Sequence, residues 1–548
     1  MVRSPDDRRR GSVLAALLVV PVAFLAVFFA WPVANIVGEG LRTDGRWNGS
    51  AFGDVLTDPH LRRVAWFTLW QAAASTVITV LVALPAAHVL SQYEFRGRRL
   101  VQSLVTIPFV LPTVVVGSAF LALIGPRGVL GVDLDDTVWA VLAAHVFFNH
   151  AVVVRTVGGM WEGLDPATVD AARVLGASPW RAWCSVTLPA IRPALQSAAL
   201  VVFLFTFTSF GIVQILGGTR NATIEVEIYR QTAQLLDLPV AAVLALVQLA
   251  AVGLLLLLQD RLSRRAPRPG VLANPRRRRP DTAAQRWWVS GNLLVLALLL
   301  GGPLAVLVER SFRTGDGHGL ANWRALAERR QGTGLFVAPV EALGNSLRFA
   351  LVAAVVATVL GAMAAAALAR TRGRPGRVID AVLLLPLGTS AVTVGFGFLI
   401  ALDEPVDLRS SPWLVPLAQA VVALPFVVRT VSPVLRSVDP RLREAAAMLG
   451  ASPARVWWEI DRRFVRRAAL IAFGFAFAIS LGEFGATTVI ARADRPTVPV
   501  VMDRLLSRPG VLNSGQAFAL GVVLMVVTGL SVALVDRARR HQSVGAWW

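Results

Sequence analysis

Residues 165–179 read DPATVDAARVLGASP, and residues 439–453, which lie 274 positions later, read DPRLREAAAMLGASP. In both copies an aspartate precedes a proline, the arrangement of a helix N-cap followed by proline at the first helical position. Gly176 and Gly450 occupy the position at which a left-handed residue ends a helix, and the Ser-Pro pair that follows begins another one. Each stretch therefore predicts a short helix, a sharp turn and a second helix.

The repeat continues on both sides of these stretches. At the same spacing, residues 154–157 and 428–431 both read Val-Arg-Thr-Val; further upstream the spacing becomes 278 and pairs Gly117 with Gly395. The chain therefore consists of two homologous halves, as a tandem fusion produces. We predict a first half at 1–259 with its repeated loop at 162–190, an Arg- and Pro-rich cytoplasmic linker at 260–286, and a second half at 287–548 with its loop at 436–464.

The composition places both halves in a membrane. The chain is 55% hydrophobic, its mean hydropathy is +0.61, and its apolar stretches reach the roughly 20 residues that a helix needs to cross a bilayer. Backbone groups in lipid must be satisfied internally, so these stretches are predicted to be helices. The fold class is an all-α integral membrane protein with about twelve transmembrane helices, six in each half. The predicted spans are 11–37, 64–90, 100–124, 138–157, 194–216 and 238–258, then 287–308, 343–368, 378–400, 413–428, 468–490 and 517–535.

Arginine predicts the orientation. If the N-terminus is cytoplasmic, the loops on that side carry about 36 arginines against about 17 on the other, the asymmetry of the positive-inside rule. Both termini and both repeated loops are then cytoplasmic. The net charge of +20 lies in short loops beside apolar spans, which favours contact with anionic membrane lipid and gives no indication of nucleic-acid binding.

Several kinds of chemistry are missing from this sequence. All 54 basic residues are arginine, so the chain lacks the lysine with which a P-loop reaches the β- and γ-phosphates. If ATP drives the protein, another subunit must hydrolyse it. The single cysteine, Cys184, and six scattered histidines give no metal-ligand pattern and no paired catalytic motif. We therefore predict no catalytic residues, no metal site and no cofactor bound by this chain.

The duplicated loops are predicted to be two equivalent docking points for a partner protein. Small alanines allow close approach, and an acidic side chain in each copy offers a carboxylate to a basic group of the partner. The alternative is a helical hairpin that merely joins two spans, which the duplication at constant spacing disfavours. The docking residues are Asp170, Ala171, Ala172 and Gly176 in the first loop and Glu444, Ala445, Ala446 and Gly450 in the second.

This Asp/Glu-Ala-Ala pattern, with glycine four residues after the second alanine and before the penultimate span of each half, resembles the EAA loop of ATP-binding-cassette (ABC) importer permeases. The resemblance covers nearly the whole chain. It implies the type I importer permease fold in the bacterial plasma (inner) membrane, an ABC ATPase dimer that consumes ATP and receives the two loops, and an extracytoplasmic substrate-binding protein. The second loop departs from the pattern, because Arg462-Arg463 replaces the Leu188-Pro189 pair that ends the first.

Fused double permeases are typical of the ferric-iron and thiamine importers. Residues 144–149, Ala-His-Val-Phe-Phe-Asn, and the segment 217–229 with its Gly-Gly, Thr-Ile-Glu and Ile-Tyr groups look most like the thiamine permease. Residues 480–487 are similar to a stretch that iron and oxyanion permeases share more widely. The resemblance therefore favours thiamine as the cargo and leaves ferric iron as the alternative.

Polar side chains within the predicted spans are candidates for the translocation pathway, because they are costly in lipid unless they face protein or water. Glu483 would meet a cationic substrate in the eleventh span; alternatively, its carboxylate stabilises helix packing through a hydrogen bond or an ion pair. The complete set of candidates is Glu483, Asn149, His150, Thr208 and Ser209.

Two other classes of protein remain as alternatives. Twelve helices in two parallel halves also describe a secondary transporter of the major facilitator superfamily, although the duplicated feature here precedes the fifth span and does not follow the second. A membrane-bound enzyme would need a catalytic constellation that the sequence does not offer.

Overall fold

The computed structural model describes residues 17–43, 46–47, 50–126, 128–265, 277–315, 317–330, 334–371, 373–403 and 407–540. Residues 11–16 of the first predicted span, residues 266–276 of the predicted linker and the last eight residues of the chain lie outside the described part.

The first half contains twelve helices within the described residues and one short antiparallel hairpin. The helices are α1 (Leu17–Gly40), α2 (Ser50–Thr57), α3 (Pro59–Gln92), α4 (Arg98–Val110), α5 (Thr113–Ile124), α6 (Val138–Glu162), α7 (Pro166–Val174), α8 (Pro179–Ala182), α9 (Leu188–Phe207), α10 (Gly211–Leu216), α11 (Ile224–Arg230) and α12 (Leu238–Arg265). Between α1 and α2, strand β1 (Arg42–Thr43) pairs with β2 (Arg46–Trp47).

The second half repeats this order element by element in its described part. Its helices are α13 (Ala283–Phe312), α14 (Ala321–Arg324), α15 (Pro339–Arg370), α16 (Gly373–Leu384), α17 (Ala391–Ala401), α18 (Leu414–Ser437), α19 (Pro440–Met448), α20 (Pro453–Val456), α21 (Arg462–Leu481), α22 (Gly485–Ile490), α23 (Val498–Leu506) and α24 (Val511–Arg540). Strands β3 (Arg313–Thr314) and β4 (Gly317–His318) form the second hairpin. Even the π-helical turns at Trp183–Thr187 and Trp457–Asp461 match.

The chain divides into two compact units that differ from the two halves of the sequence. Unit A comprises the described parts of residues 55–227 and 247–319, and unit B those of residues 1–54, 228–246 and 320–544. Each unit therefore contains the central helices of one half together with the first helix of the other half: α13 lies in unit A and α1 in unit B.

In unit A, α3 packs against α6 and α9, while α5 packs against α10 and α13. In unit B, α15 packs against α18 and α21 in the same way, and α17 packs against α22 and α1. The exchanged first helix thus covers the equivalent helix, α5 or α17, in both units.

Alanine forms much of the contact among α15, α18 and α21. The alanines that these helices bury are Ala353, Ala354, Ala357, Ala365, Ala366, Ala420, Ala423, Ala468, Ala472 and Ala476. Small side chains let helix backbones approach closely, which replaces the hydrophobic driving force that lipid does not provide. This alanine contact holds the second-half bundle together by close van der Waals packing.

The expected number of transmembrane helices is confirmed. Within the described residues, ten helices are long and apolar enough to cross a membrane, and the number is twelve when each of two bent helix pairs is counted as one span. The prediction of continuous helices at 100–124 and 378–400 was wrong: α4 and α5 meet at 101°, and α16 and α17 at 90°. Pro112 precedes α5 directly and Pro386 lies in the turn between α16 and α17, where each removes a backbone donor.

The spans predicted at 194–216 and 468–490 are also interrupted. The helix stops at Phe207 in the first half and at Leu481 in the second, and a separate short helix, α10 or α22, follows after three residues. The breaks fall at Thr208-Ser209-Phe210 and at Gly482-Glu483-Phe484. The segments on both sides of each break are apolar, so hydropathy averaged over a whole span did not predict the interruption.

Gly395 provides a test of the close approach between α17 and α22. A Cβ atom there would lie 2.8 Å from the carbonyl oxygen of Ala486 and 2.9 Å from its Cα. Since backbone must move to make room, we expect Gly395→Ala to destabilise the protein by about 1–3 kcal/mol, measured as a lower midpoint of thermal unfolding in detergent. Gly529→Ala in α24, where a Cβ would meet nothing within 4 Å, is the control and should not lower that midpoint.

Candidate functional site

The two duplicated loops have the local structure that the sequence predicts. In the first loop, the Asp165 carboxylate accepts a hydrogen bond from the Ala167 N–H at 3.0 Å and so caps α7. The Ser178 hydroxyl accepts from the Arg181 N–H at 3.2 Å and caps α8. The second loop repeats both caps, with Asp439 on the Arg441 N–H at 2.9 Å and Ser452 on the Arg455 N–H at 3.4 Å.

The turn inside each loop explains the spacing of the sequence motif. Gly176 has φ +85° and Gly450 has φ +79°, the left-handed conformation that favours glycine. The N–H of the next residue then donates back over the turn, to the Ala172 carbonyl in the first loop and to the Ala446 carbonyl in the second, both at 3.0 Å. The second alanine of the motif therefore accepts the hydrogen bond that closes the helix, as in a Schellman turn.

Each turn exposes two large apolar side chains to solvent. The exposed fractions are 87% for Val174, 88% for Leu175, 90% for Met448 and 88% for Leu449. These residues occupy the same two positions of the repeat, and α7 buries none of its side chains. An apolar pair that is almost fully exposed, and present twice in equivalent turns, is typical of a surface that a partner covers.

The carboxylates of the two loops have different surroundings. In unit A, Asp170 accepts from Arg278 Nη2 at 2.9 and 3.1 Å, and both side chains are about half exposed. The Glu444 side chain is exposed, and its carboxylate has no hydrogen bond or ion pair with any other residue that the structure describes. The sequence did not predict this difference, because Arg278 is far from Asp170 along the chain.

The second loop is anchored from within its own half. The Arg443 side chain on α19 donates to Asp461 at 2.9 Å, and Arg370 at the end of α15 donates to the same carboxylate at 3.3 Å. Asp461 is buried. At the two repeat positions of Arg443 and Asp461, the first half has Val169 and Thr187, so it cannot form this ion pair.

A second group of functional candidates lies in the bundle of α3, α6 and α9. The imidazole of His145 is buried between two hydroxyls: its Nδ1 lies 3.0 Å from Ser75 Oγ and its Nε2 lies 2.9 Å from Ser209 Oγ. The Asn149 amide donates to the His145 carbonyl at 3.1 Å. Of the predicted pathway residues, the structure thus brings Ser209 and Asn149 together around His145.

Residues of α3 that the sequence analysis did not select complete this polar seam. The Gln71 amide donates to the Thr206 carbonyl at 2.9 Å, and the Thr68 hydroxyl accepts from the Ile224 N–H at 2.9 Å. Thr68, Gln71, Ser75 and Thr79 follow one another at spacings of three or four residues in an apolar span. That helical periodicity of polar residues was the signal available in the sequence.

Several buried polar atoms of α3 and α6 have no hydrogen-bond partner among the described residues. They are Gln71 Oε1, Thr79 Oγ1, Asn149 Oδ1 and both ring nitrogens of His150. A buried donor or acceptor without a partner costs about 1–3 kcal/mol. These side-chain atoms are therefore free to form hydrogen bonds with a group from outside the described residues.

Two predicted pathway residues make local hydrogen bonds instead. The Glu483 carboxylate accepts from the N–H groups of Ala486 at 2.7 Å and Thr487 at 3.0 Å, which places it over the start of α22. The Thr208 hydroxyl donates to the Leu204 carbonyl at 2.9 Å at the end of α9. For Glu483 this geometry corresponds to the packing role that the sequence analysis left open, and its pathway role stays a prediction.

Residues 79–267 and again residues 357–541 match the family described as the binding-protein-dependent transport system inner membrane component. The chain belongs to this family. The double match accords with the tandem fusion inferred from the repeat and with the matching order of helices in the two halves. The protein is therefore a permease subunit of an ABC importer, which confirms the predicted class; the major facilitator and enzyme alternatives are not supported.

Named relatives of this permease cover most of its length. It is 30% identical to the "Thiamine transport system permease protein ThiP" of Brucella abortus (strain 2308), over 88% of each chain. It is 28% identical to the protein of the same name from Escherichia coli (strain K12), over 96% of this chain and 95% of that one. A bacterial ABC transporter involved in the import of alginate aligns with 48% of this chain and 99% of its own, at 18% identity and a TM-score of 0.42.

His145 offers a test of the polar seam between α3, α6 and α9 in this permease. We expect His145→Leu to lower the free energy of unfolding by about 1–3 kcal/mol, since the substitution leaves the buried hydroxyls of Ser75 and Ser209 without a partner. The midpoint of thermal unfolding in detergent measures this. Gln419, the buried residue at the repeat position of His145, has no partner for its amide oxygen among the described residues, so Gln419→Leu should cost less. An equal loss for both variants would contradict a stabilising role of the seam.

Proposed function

We propose that this permease imports thiamine, that its two duplicated loops are the coupling helices that dock into an ABC ATPase dimer, and that ATP is consumed there. The observation that carries the docking is the pair of equivalent turns, each closed by a left-handed glycine and each exposing two large apolar side chains. A docking loop that occurs twice in one chain needs two equivalent receptors, and an ATPase dimer would supply them.

The energetics of the loops support a protein partner. Burying one large aliphatic side chain contributes about 1.5–3 kcal/mol, so four such residues would contribute substantially to docking. The glycine turn fixes the direction of each apolar pair, which reduces the conformational entropy lost on binding. Rigid, matching turns are suited to transmit the movement of one partner to the helices of the other.

The composition supports a separate ATPase. Without a lysine the chain has no P-loop, and we expect the hydrolysing subunit to lie on the cytoplasmic side, where the arginine distribution predicts both loops and both termini. An extracytoplasmic binding protein would deliver the cargo to the opposite side of the inner membrane.

The relatives named for thiamine transport support the choice of cargo. Their similarity extends over most of both chains and accords with the motifs at 144–149 and 217–229. Thiamine is a cation with an aminopyrimidine ring, so hydrogen-bonding groups such as Asn149, His150, Ser209 and Thr208, together with Glu483, stay our candidates for contacts along its path. Selection of thiamine over other solutes would fall mainly to the binding protein.

A substitution pair at Gly450 tests the docking. Asparagine adopts the left-handed conformation more readily than most residues and aspartate does so similarly, and a Cβ at Gly450 would meet nothing within 4 Å. Gly450→Asp adds a charge beside Leu449, and we expect it to uncouple ATP hydrolysis from transport, whereas the isosteric Gly450→Asn should retain most coupling. Transport per ATP hydrolysed in proteoliposomes is the measurement.

The same pair at Gly176 tests the first loop. Membrane yield should be unchanged in all four variants, because both glycines are exposed to solvent. The strain of a side chain in the left-handed conformation should lower the unfolding midpoint slightly and equally in the Asp and Asn variants, so a difference in coupling between them reports the added charge. Wild-type transport by the double variant Gly176→Asp and Gly450→Asp would refute the docking proposal.

The cargo is tested by ATP hydrolysis of the reconstituted complex with a loaded binding protein. We expect the thiamine-loaded protein from the same cell to stimulate hydrolysis, and the ferric-loaded binding protein to have no effect, because each complex responds to its own receptor. Stimulation by the ferric-loaded protein alone would assign iron as the cargo and leave the coupling proposal intact.

A further inference from the structure

The last part of the linker between the two halves is attached to the end of α3. The Arg278 N–H donates to the Gln92 carbonyl and the Glu94 N–H donates to the Arg278 carbonyl, both at 3.0 Å. Arg278 thereby forms a parallel β-bridge with Tyr93. Two backbone hydrogen bonds hold this residue in one position, so its side chain starts from a defined point.

Charged side chains reinforce the attachment. Arg277 contacts the carboxylate of Glu162, at the end of α6, and lies 3.5 Å from that of Glu94. Arg98, which is buried at the start of α4, donates to Glu162 at 3.3 Å and to the Leu90 carbonyl at 2.8 Å. The network joins the linker to the ends of three helices on the same side of unit A.

From this attachment the Arg278 guanidinium reaches the first coupling helix. Its Nη2 donates to both carboxylate oxygens of Asp170, in the middle of α7. Asp170 is the acidic residue of the repeated motif, so the chain itself occupies the group that the duplication would otherwise offer to a partner. The linker is in this way a structural part of the first docking loop.

The second loop differs from the first in its anchoring arginine and in the surroundings of its motif carboxylate. Its anchoring arginine, Arg443, belongs to the coupling helix α19 itself and pairs with the buried Asp461. The motif carboxylate of Glu444 is left exposed, without a partner among the described residues. One loop is therefore positioned through its motif carboxylate by the linker, and the other is positioned elsewhere and keeps its motif carboxylate available.

We propose that the two docking loops are functionally unequal: Arg278 is a positioning residue for the first coupling helix, acting through Asp170, while Glu444 supplies an ion pair to a basic group of the ATPase subunit that receives the second loop. This inference rests on the proposed docking function. It also gives the fusion a role, because the linker that joins the halves positions the helix that couples the first half to its ATPase.

The test compares transport per ATP hydrolysed in proteoliposomes that contain the complete complex. Surface ion pairs have modest coupling energies, so Arg278→Gln and Asp170→Asn should each lower this ratio by about two- to five-fold, and the double variant should be no worse than either single one. The charge swap Asp170→Arg with Arg278→Asp should restore coupling, which a loss of fold would not allow. Glu444→Gln should lower the ratio and also weaken retention of the ATPase in co-purification.

Arg492→Gln is the matched control. Arg492 pairs with Asp494 at 3.0 Å with similar exposure, but lies outside both loops, so its substitution should leave the ratio unchanged. Wild-type coupling in Arg278→Gln, or failure of the charge swap to restore it, would overturn the positioning role. Equal effects of Asp170→Asn and Glu444→Gln on ATPase retention would overturn the inequality. If the wild-type chain retained no ATPase, the docking function itself would fail.

Discussion

Every backbone N–H and C=O group within the hydrocarbon layer needs a partner inside the protein, and this constraint governs the rest of the structure. It makes the long apolar segments helical, and it requires polar substitutes wherever a helix is interrupted. The breaks after α9 and after α21 lie at the same repeat position, yet different polar groups form the hydrogen bonds at each break. Glu483 accepts the first N–H groups of α22, whereas Ser209, its repeat counterpart, contacts His145 through its hydroxyl and accepts from Thr223 through its carbonyl.

The duplicated frame thus contains two kinds of interior. In the second half, the contact among α15, α18 and α21 consists largely of alanine, and backbones approach closely. In the first half, Ser75 and Asn149 occupy positions at which the second has Ala353 and Ala423, and their hydrogen bonds to His145 replace part of that contact. Duplication preserved the path of the chain while the two bundles acquired different chemistry. A translocation pathway built from such halves need not be symmetric.

The two docking loops likewise share a backbone path but differ in the side chains that support them. Their turns are equivalent because capping and a left-handed glycine depend on residues close together in sequence. Their supports differ because they involve arginines from distant segments: Arg278 pairs with Asp170 in the first loop, and Arg370 pairs with Asp461 in the second. Coupling in this permease therefore combines a local motif used twice with two separate ways of holding it.

The sequence by itself determined the helical class, the duplication, the approximate number of spans and the conformation of each docking turn, including Gly176 and Gly450 at positive φ. These properties depend on hydropathy and on short-range hydrogen bonds, which a linear pattern records. Only the tertiary structure decided that α1 and α13 are exchanged between the two units, that four predicted spans are bent or interrupted, that His145 bonds to Ser75 and Ser209, and that Arg278 reaches Asp170. Each of these depends on which distant segments pack together, and packing is set by the shape and polar groups of both partners at once.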